Sequence, residues 1–485
     1  MKVNVLPSGI ITAIQRVALL LLVCLALIAC ENDKPEAAAD EAFATKLFAE
    51  EVARAANHLI EVTPEAKRDL LRFRFDDEAR TMGKVTSETP SFCAVLAWCL
   101  PGWGIQQSDM SHEQLVAMHQ LLNLALSPGG YQTLLAVQNR QRIIGEMEDV
   151  SDILAIKNAT DHHHDHPHQP VQSIFDLDSV RAASGFYPAL GGAFLKGDSV
   201  TVDWVWPAPG LQTRRDQFDM YTIAIFGEPS SDQEWGFRFE GHHLTVNMTF
   251  VPDPKTGEIQ VHTTPLFFGA FPMIIPEAPE APDAEAAVLS EWNWEEGQLM
   301  MYSVAHHLRQ FWLAVPENLR NQAFISADHF PQAGPLVIDT ALPWLISAVE
   351  PRVDTAKIAD YPHINITTDE LSPEALWHLK QAYEFYTNSM NNNVSAAYRS
   401  RIEAALAPGQ PLTLSWAGKS LENVGSNHYS YLVVGALLLE FMQNNQFTVQ
   451  HDPDVTGNHV HSMLRDLSFD WLDPMDVHRR FSHAN

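Results

Sequence analysis

Residues 235–250 read Trp-Gly-Phe-Arg-Phe-Glu-Gly-His-His-Leu-Thr-Val-Asn-Met-Thr-Phe. Aromatic and β-branched residues alternate here with polar ones at period two, the pattern of strand rather than helix. Set into that pattern are a guanidinium (Arg238), a carboxylate (Glu240) and two imidazoles (His242 and His243). Such groups are costly in a buried strand unless each finds a partner, a metal or a ligand. The stretch therefore marks a β-rich core and the leading candidate for a functional site. Strict alternation puts Arg238, Glu240 and His242 on one face and His243 on the other, whereas a bulge at Gly241 turns both imidazoles the same way.

Working outward, Val200–Trp206, Met220–Phe226, Gly236–Phe250 and Glu258–Thr264 form a first β block. Asp253-Pro254-Lys255-Thr256-Gly257 has the turn chemistry to fold its last two members into a hairpin. Helices precede the block. Phe43, Leu47, Phe48, Val52 and Ala56 recur at helical spacing, Ser111-His112-Glu113-Gln114 fits a capping box, the helix it opens closes at Ser127-Pro128-Gly129-Gly130, and Tyr131 to about Glu148 reads as its partner. Helices also follow, over Glu296–Val315, over Ser372–Met390 with Ser372-Pro373 as cap and first-turn proline, and over Val394–Ala407. A second β block comprises Leu412–Trp416, Tyr429–Glu440, Phe447–His451 and His459–Arg465. This order predicts an α+β fold, with helical segments packed around an antiparallel β system formed by the two strand blocks. No period of 20–50 residues suggests a solenoid.

The second block carries its own chemistry. His459 and His461 in His-Val-His project from one face of a strand and can chelate a metal together, with Asp466 or Glu440 as an oxygen ligand. If the two blocks share a sheet, His242 and His243 meet His459 and His461 in a site suited to Zn, Cu or Fe. A purely structural reading stands beside this one. In it, Arg238 and Glu240 are an ion pair fixing a strand, and the histidines are core residues bonded to backbone carbonyls.

At the N-terminus, Lys2 and Arg16 precede a Leu-rich run from Val17 to Ala29 that ends at Cys30. The pattern is that of a lipoprotein signal, residues 1–29, with Cys30 as the acylated residue and 30–40 as a polar tether. The run is short for a membrane span. Glu31 after the cysteine favours the outer membrane over inner-membrane retention, so the expected location is the bacterial cell envelope, lipid-anchored and facing the periplasm. Loss of residues 1–29 leaves 29 basic against 60 acidic side chains, a formal charge of −31. Such a surface repels nucleic acid and draws in cations and basic peptides. In an oxidising compartment Cys93 and Cys99 are candidates for a disulfide. At six residues apart they are too distant on a regular helix, so a bridge requires a turn between them.

Two segments stand out by composition within the remaining unit, residues 41–485. Asp161-His162-His163-His164-Asp165-His166-Pro167-His168 begins a His-rich loop (161–170) that binds transition metals loosely. Residues 276–286, Pro-Glu-Ala-Pro-Glu-Ala-Pro-Asp-Ala-Glu-Ala, form a stiff acidic loop. Several other motifs run through most of the chain: Phe75-Asp76-Asp77-Glu78-Ala79-Arg80, the Leu126-Ser127 to Gly130-Tyr131 turn, Ile225-Phe226-Gly227-Glu228-Pro229, Trp235 to His243, Thr264-Pro265 with Phe267-Phe268-Gly269, and Asn458-His459-Val460-His461-Ser462 followed by Arg465-Asp466. In this combination the chain resembles the bacterial and fungal domain-of-unknown-function family 3500. The resemblance implies no settled activity. The segments around Cys93–Trp103, the His-rich loop and the acidic loop depart from the family pattern.

No Gly-x-Ser-x-Gly elbow occurs, and the Gly197-Asp198-Ser199 fragment does not supply one, which argues against a serine hydrolase. A Gly-rich phosphate loop, a Cys-x-x-Cys-His haem attachment and a His-Glu-x-x-His zinc helix are also absent from the sequence. His306 and His307 point roughly 100° apart on their helix and read as surface or rim residues. The expectation is a lipid-anchored protein binding a transition metal through His242, His243, His459 and His461. Glu240 is then the orienting group or general base, Arg238 receives an anionic group, and Arg465 and Asp466 are candidate substrate-binding residues. The alternative is a metal-free ligand-binding or structural envelope protein.

Overall fold

The two β blocks meet where β12 (His459–Asp466) pairs antiparallel with β7 (Leu266–Ala270), setting His461 opposite Gly269. This pairing joins a twelve-stranded sheet. The computed structural model describes residues 43–77, 80, 104–140, 221–241, 243–270, 273, 300–325, 362–423, 426–444 and 459–470. The signal segment and tether, Cys30, Cys93 and Cys99, His242, the loops at 161–170 and 276–286, and the expected strands Val200–Trp206 and Phe447–His451 lie outside the described residues.

On the first-block side, β7 pairs with β5 (Leu244–Pro252), then come β4 (Trp235–Gly241), β3 (Thr222–Gly227) and β1 (Arg72–Phe73). The short β2 (Ile105–Gln106) adds to β3, and β6 (Ile259–His262) adds to β5. On the other side of β12 lie β11 (Leu437–Asn444), β10 (His428–Val434), β9 (Pro411–Gly418) and β8 (Ile364–Thr367). Every pairing is antiparallel except β1 with β3.

Two expected strands are hairpins. Tyr429–Glu440 splits at Gly435, whose φ of +60° supplies the left-handed residue that a tight reversal needs. The 235–250 stretch reverses between Gly241 and Leu244, which pair with each other, so no bulge interrupts the β4–β5 ladder. Gly241 serves a different purpose, because a Cβ there would meet the Tyr221 ring at 2.4 Å. The β5–β6 turn forms as its chemistry dictates, with Asp253 Oδ1 accepting from the Lys255 and Thr256 amides at 2.8 and 3.1 Å.

Eight helices are described. They are α1 (43–62), α2 (Glu65–Leu71), α3 (His112–Ala125), α4 (128–140), α5 (Tyr302–Ala314), α6 (Glu317–Ala323), α7 (Pro373–Ser389) and α8 (Asn392–Ala405). The capping box at Ser111 and Gln114 closes reciprocally, and Ser372 Oγ accepts from the Ala375 amide. α5 and α7 lie on one face of the sheet. Trp312 Nε1 donates to Ser430 Oγ at 2.8 Å, and the Tyr383 hydroxyl donates to the Leu432 carbonyl at 2.8 Å. Leu266, Phe268, Ala270, Val460, Leu464, Leu439 and Phe441 face these helices in the main core.

The opposite face holds Phe267, Met463, Leu438, Met442, Tyr429 and Tyr431 in a second apolar cluster. All eight residues of β12 are buried. The alternation His-Val-His-Ser-Met-Leu-Arg-Asp is therefore not the half-solvated pattern that antiparallel strands usually show. Its polar side is buried as well, and it needs internal partners.

Candidate metal centre

Arg238 and Glu240, two residues apart on β4, share the sheet face that carries Phe267 and Met463. Their exposures are 1% and 0%, and they form an ion pair in which Nη2 donates to Oε1 at 3.0 Å while Nε lies 2.9 Å from Oε2 without hydrogen-bond geometry. A third guanidinium nitrogen, Nη1, donates to the Arg80 carbonyl at 2.9 Å. Arg80 is itself buried, and burial lowers its guanidinium to about 10, with Glu234 opposing and Arg238 adding to the drop. Arg238, expected to receive an anion, is thus committed to a carboxylate and a carbonyl. Glu240 stands opposite Thr245 on β5, which in turn stands opposite Phe267 on β7. Two strand spacings, roughly 10 Å, separate its backbone from β7.

The imidazoles converge at β7 and β12. His243 is held at φ +64°, a left-handed conformation that few non-glycine residues adopt, by the reversal between β4 and β5. Its carbonyl accepts from the Gly269 amide at 2.7 Å, and its ring lies over Gly269, where an added Cβ would come within 2.9 Å of Cδ2. Gly269 is paired with His461, and His459 projects from the same strand face two residues earlier. The three ring centroids are 4.7 Å apart for His243 and His459, 5.0 Å for His243 and His461, and 4.5 Å for His459 and His461. His243 Nε2 and His459 Nε2 approach to 2.6 Å. One ligand nitrogen from each ring lies within 4.8 Å of the other two, and all three residues are buried. Two nitrogens bound to one tetrahedral ion at 2.0–2.1 Å are about 3.3 Å apart, so ring adjustments of up to about 1.5 Å bring this set to metal-ligand spacing. His243, His459 and His461 are close enough to hold a metal ion.

Arg465 and Asp466 are drawn into other contacts. Arg465 lies on the face of the triad and donates from Nε to Asp470 Oδ2 at 2.7 Å, while burial pushes the Asp470 carboxyl up against the opposing pull of Arg465. Asp466 points to the helical face, where Arg401 of α8 reaches Oδ1 at 2.9 Å. Strand alternation thus keeps Asp466 away from His459 and His461. Glu440 stays on the triad's face one strand over, and its Oε1 accepts from the Tyr429 hydroxyl at 2.7 Å.

Beside Asp466, His262 at the end of β6 stacks on Phe469 with ring centroids 4.4 Å apart. Burial lowers its pKa to about 4, with Asp466 raising it and Arg401 lowering it by smaller amounts. The unfolded chain then binds this proton below about pH 6.5 while the folded chain does not, so stability falls as pH drops from 6.5 towards 4. At pH 5 the expected loss from this group is about 2 kcal/mol. Denaturant titrations of His262→Leu at pH 7 and pH 5 should show a pH penalty smaller by that amount, and an unchanged penalty would exclude a buried neutral His262.

The sequence pattern pointed to all three of these imidazoles and missed what makes room for them. Gly269 sits in Phe267-Phe268-Gly269, and the signal was a glycine inside a strand, which often marks close approach of another group. Arg401 and His262 carried no local signal, because their partners are distant in sequence.

Fold and site together describe an α+β protein with a histidine cluster at the junction of two strand blocks. The family model for proteins of unknown function DUF3500 matches residues 46–472, and the chain belongs to this family. No curated protein and no solved structure matches it.

Proposed function

We propose that this is a metal-binding protein whose resident ion is held by His243, His459 and His461. The observation that carries the reading is the convergence of three buried imidazoles from β12 and the β4–β5 reversal, over a glycine that leaves space for one of them. Imidazole donors suit Zn, Cu or Fe. A three-histidine ion keeps a coordination position open, where it can polarise a substrate or lower the pKa of bound water. The set therefore supports a metalloenzyme, with the Arg238–Glu240 pair fixing β4 behind it rather than touching the reacting group.

The test is elemental analysis of the full chain with His162, His163, His164, His166 and His168 changed to serine, which removes loosely bound metal. About one ion per chain is expected, lost when His459 and His461 are both changed to alanine. No metal in the parent would overturn the reading. It would leave the metal-free structural alternative, which the ion pairs Arg238–Glu240 and Arg465–Asp470 favour.

We further propose that the chain is a lipoprotein of the cell envelope. The support is the basic start, the apolar run from Val17 to Ala29 and Cys30. Metabolic labelling with a fatty acid should mark the chain and fail to mark Cys30→Ser.

A further inference from the structure

Away from the sheet site, the outer surface of the α5–α7 pair gathers three more histidines. His306 and His307 are consecutive on α5, so their side chains diverge by about 100°. α7 packs against α5 and brings His378 to them. His307 Nδ1 and His378 Nδ1 lie 3.0 Å apart and are partly buried. The His306 ring is centred 5.3 Å from that of His307 and 6.4 Å from that of His378. Aromatic rings wall the cluster. Tyr302 stacks on His306 at 5.4 Å, and Trp377, 52% exposed, stands 4.7 Å from His378 and 5.4 Å from His307.

We propose that His307 and His378, joined by His306, form a second transition-metal site that is open to solvent and independent of the buried triad. Two nitrogens 3.0 Å apart need move only a few tenths of an ångström to bind one ion at 2.0–2.1 Å. His306, half-buried and stacked on Tyr302, completes the set by a side-chain rotation. The donor set is all imidazole, which favours Cu, Ni or Zn over Mg or Ca. Because the ligands are only partly buried, the site is suited to taking up and releasing an ion rather than retaining one.

Trp377 makes the site readable. The full chain with the five histidines at 162, 163, 164, 166 and 168 changed to serine is titrated with Cu(II), in buffer containing excess glycine to suppress weak binding. Tryptophan emission and bound copper are both measured. The expected result is a quenching phase that accompanies one equivalent of copper. Trp377→Phe should lose the quenching and keep the copper, while His307→Ala with His378→Ala should lose both without lowering the melting temperature. The phase should persist when His459 and His461 are changed to alanine, so this site and the buried one stand or fall separately. Unchanged copper binding in the His307/His378 double variant would overturn the proposal, as would quenching that survives Trp377→Phe.

Discussion

Changing Glu240 to glutamine is expected to destabilise the folded chain by about 3–5 kcal/mol, because it leaves the Arg238 guanidinium buried without a counter-charge. The pair is 1% and 0% exposed and held by one hydrogen bond and one close ionic contact, so little water is available to take over. Arg238→Met with Glu240→Leu should be less damaging than Glu240→Gln alone, since apolar groups of similar size replace a buried pair at small cost. The double change still orphans the Arg80 carbonyl, which Arg238 Nη1 now serves, at a cost of about 1–3 kcal/mol. Urea unfolding of the two variants beside the parent measures both effects. Metal content should not change, because the pair lies roughly 10 Å from β7 across the sheet. A Glu240→Gln protein within about 1 kcal/mol of the parent would mean that the pair is hydrated rather than buried.

The polar residues in β4 and β12 could be singled out in sequence because burying them is expensive, and the cost is visible wherever the surrounding pattern reads as core. What each group spends that cost on is set by partners far along the chain. Arg238 and Glu240 lie on one strand face at i and i+2, so their pairing was one of the two readings open from the sequence. By contrast, Asp466 meets Arg401 from a helix more than 60 positions earlier. The turn chemistry of 253–257 and the caps at Ser111 and Ser372 are local and formed as read. The reversals at His243 and Gly435 were missed because strand-like apolar residues lie on both sides of each, and hydrophobic periodicity does not record where a strand turns back. Of the two geometries open at Gly241, regular alternation and a bulge, the ladder keeps the first. A strand glycine signals either a break in the ladder or the close approach of a neighbour, and here the neighbour is Tyr221. The meeting of His243 with His459 and His461 rested on the two β blocks sharing a sheet, which the β7–β12 pairing fulfils.

Gly269→Ala is the substitution that should separate the ligand set from the sheet that carries it. An added Cβ would lie 2.8 Å from the Val460 carbonyl oxygen, 2.9 Å from His243 Cδ2 and 3.1 Å from His243 Cβ. The carbonyl belongs to the β12 backbone, beside the ladder that sets His461 opposite Gly269, and cannot retreat without opening that pairing. His243 must therefore give way, yet its own backbone is fixed by the left-handed turn and by the bond from the Gly269 amide to its carbonyl. The remaining freedom is rotation of the imidazole away from His459 and His461. The expected outcome is a stability loss of about 1–3 kcal/mol from overpacking, with metal affinity weakened about 10–100-fold, the range seen when a ligand's orienting contact is removed. Gly257→Ala is the matching control. Its φ is +74° and no atom lies within 4 Å of the added Cβ, so it should cost about 1–2 kcal/mol through backbone strain and leave metal binding intact. Competition with a chelator of known affinity measures both variants. Parent-like affinity in Gly269→Ala would show that His243 is not a ligand and reduce the site to His459 and His461, a pair too small to hold an ion in a closed structural geometry.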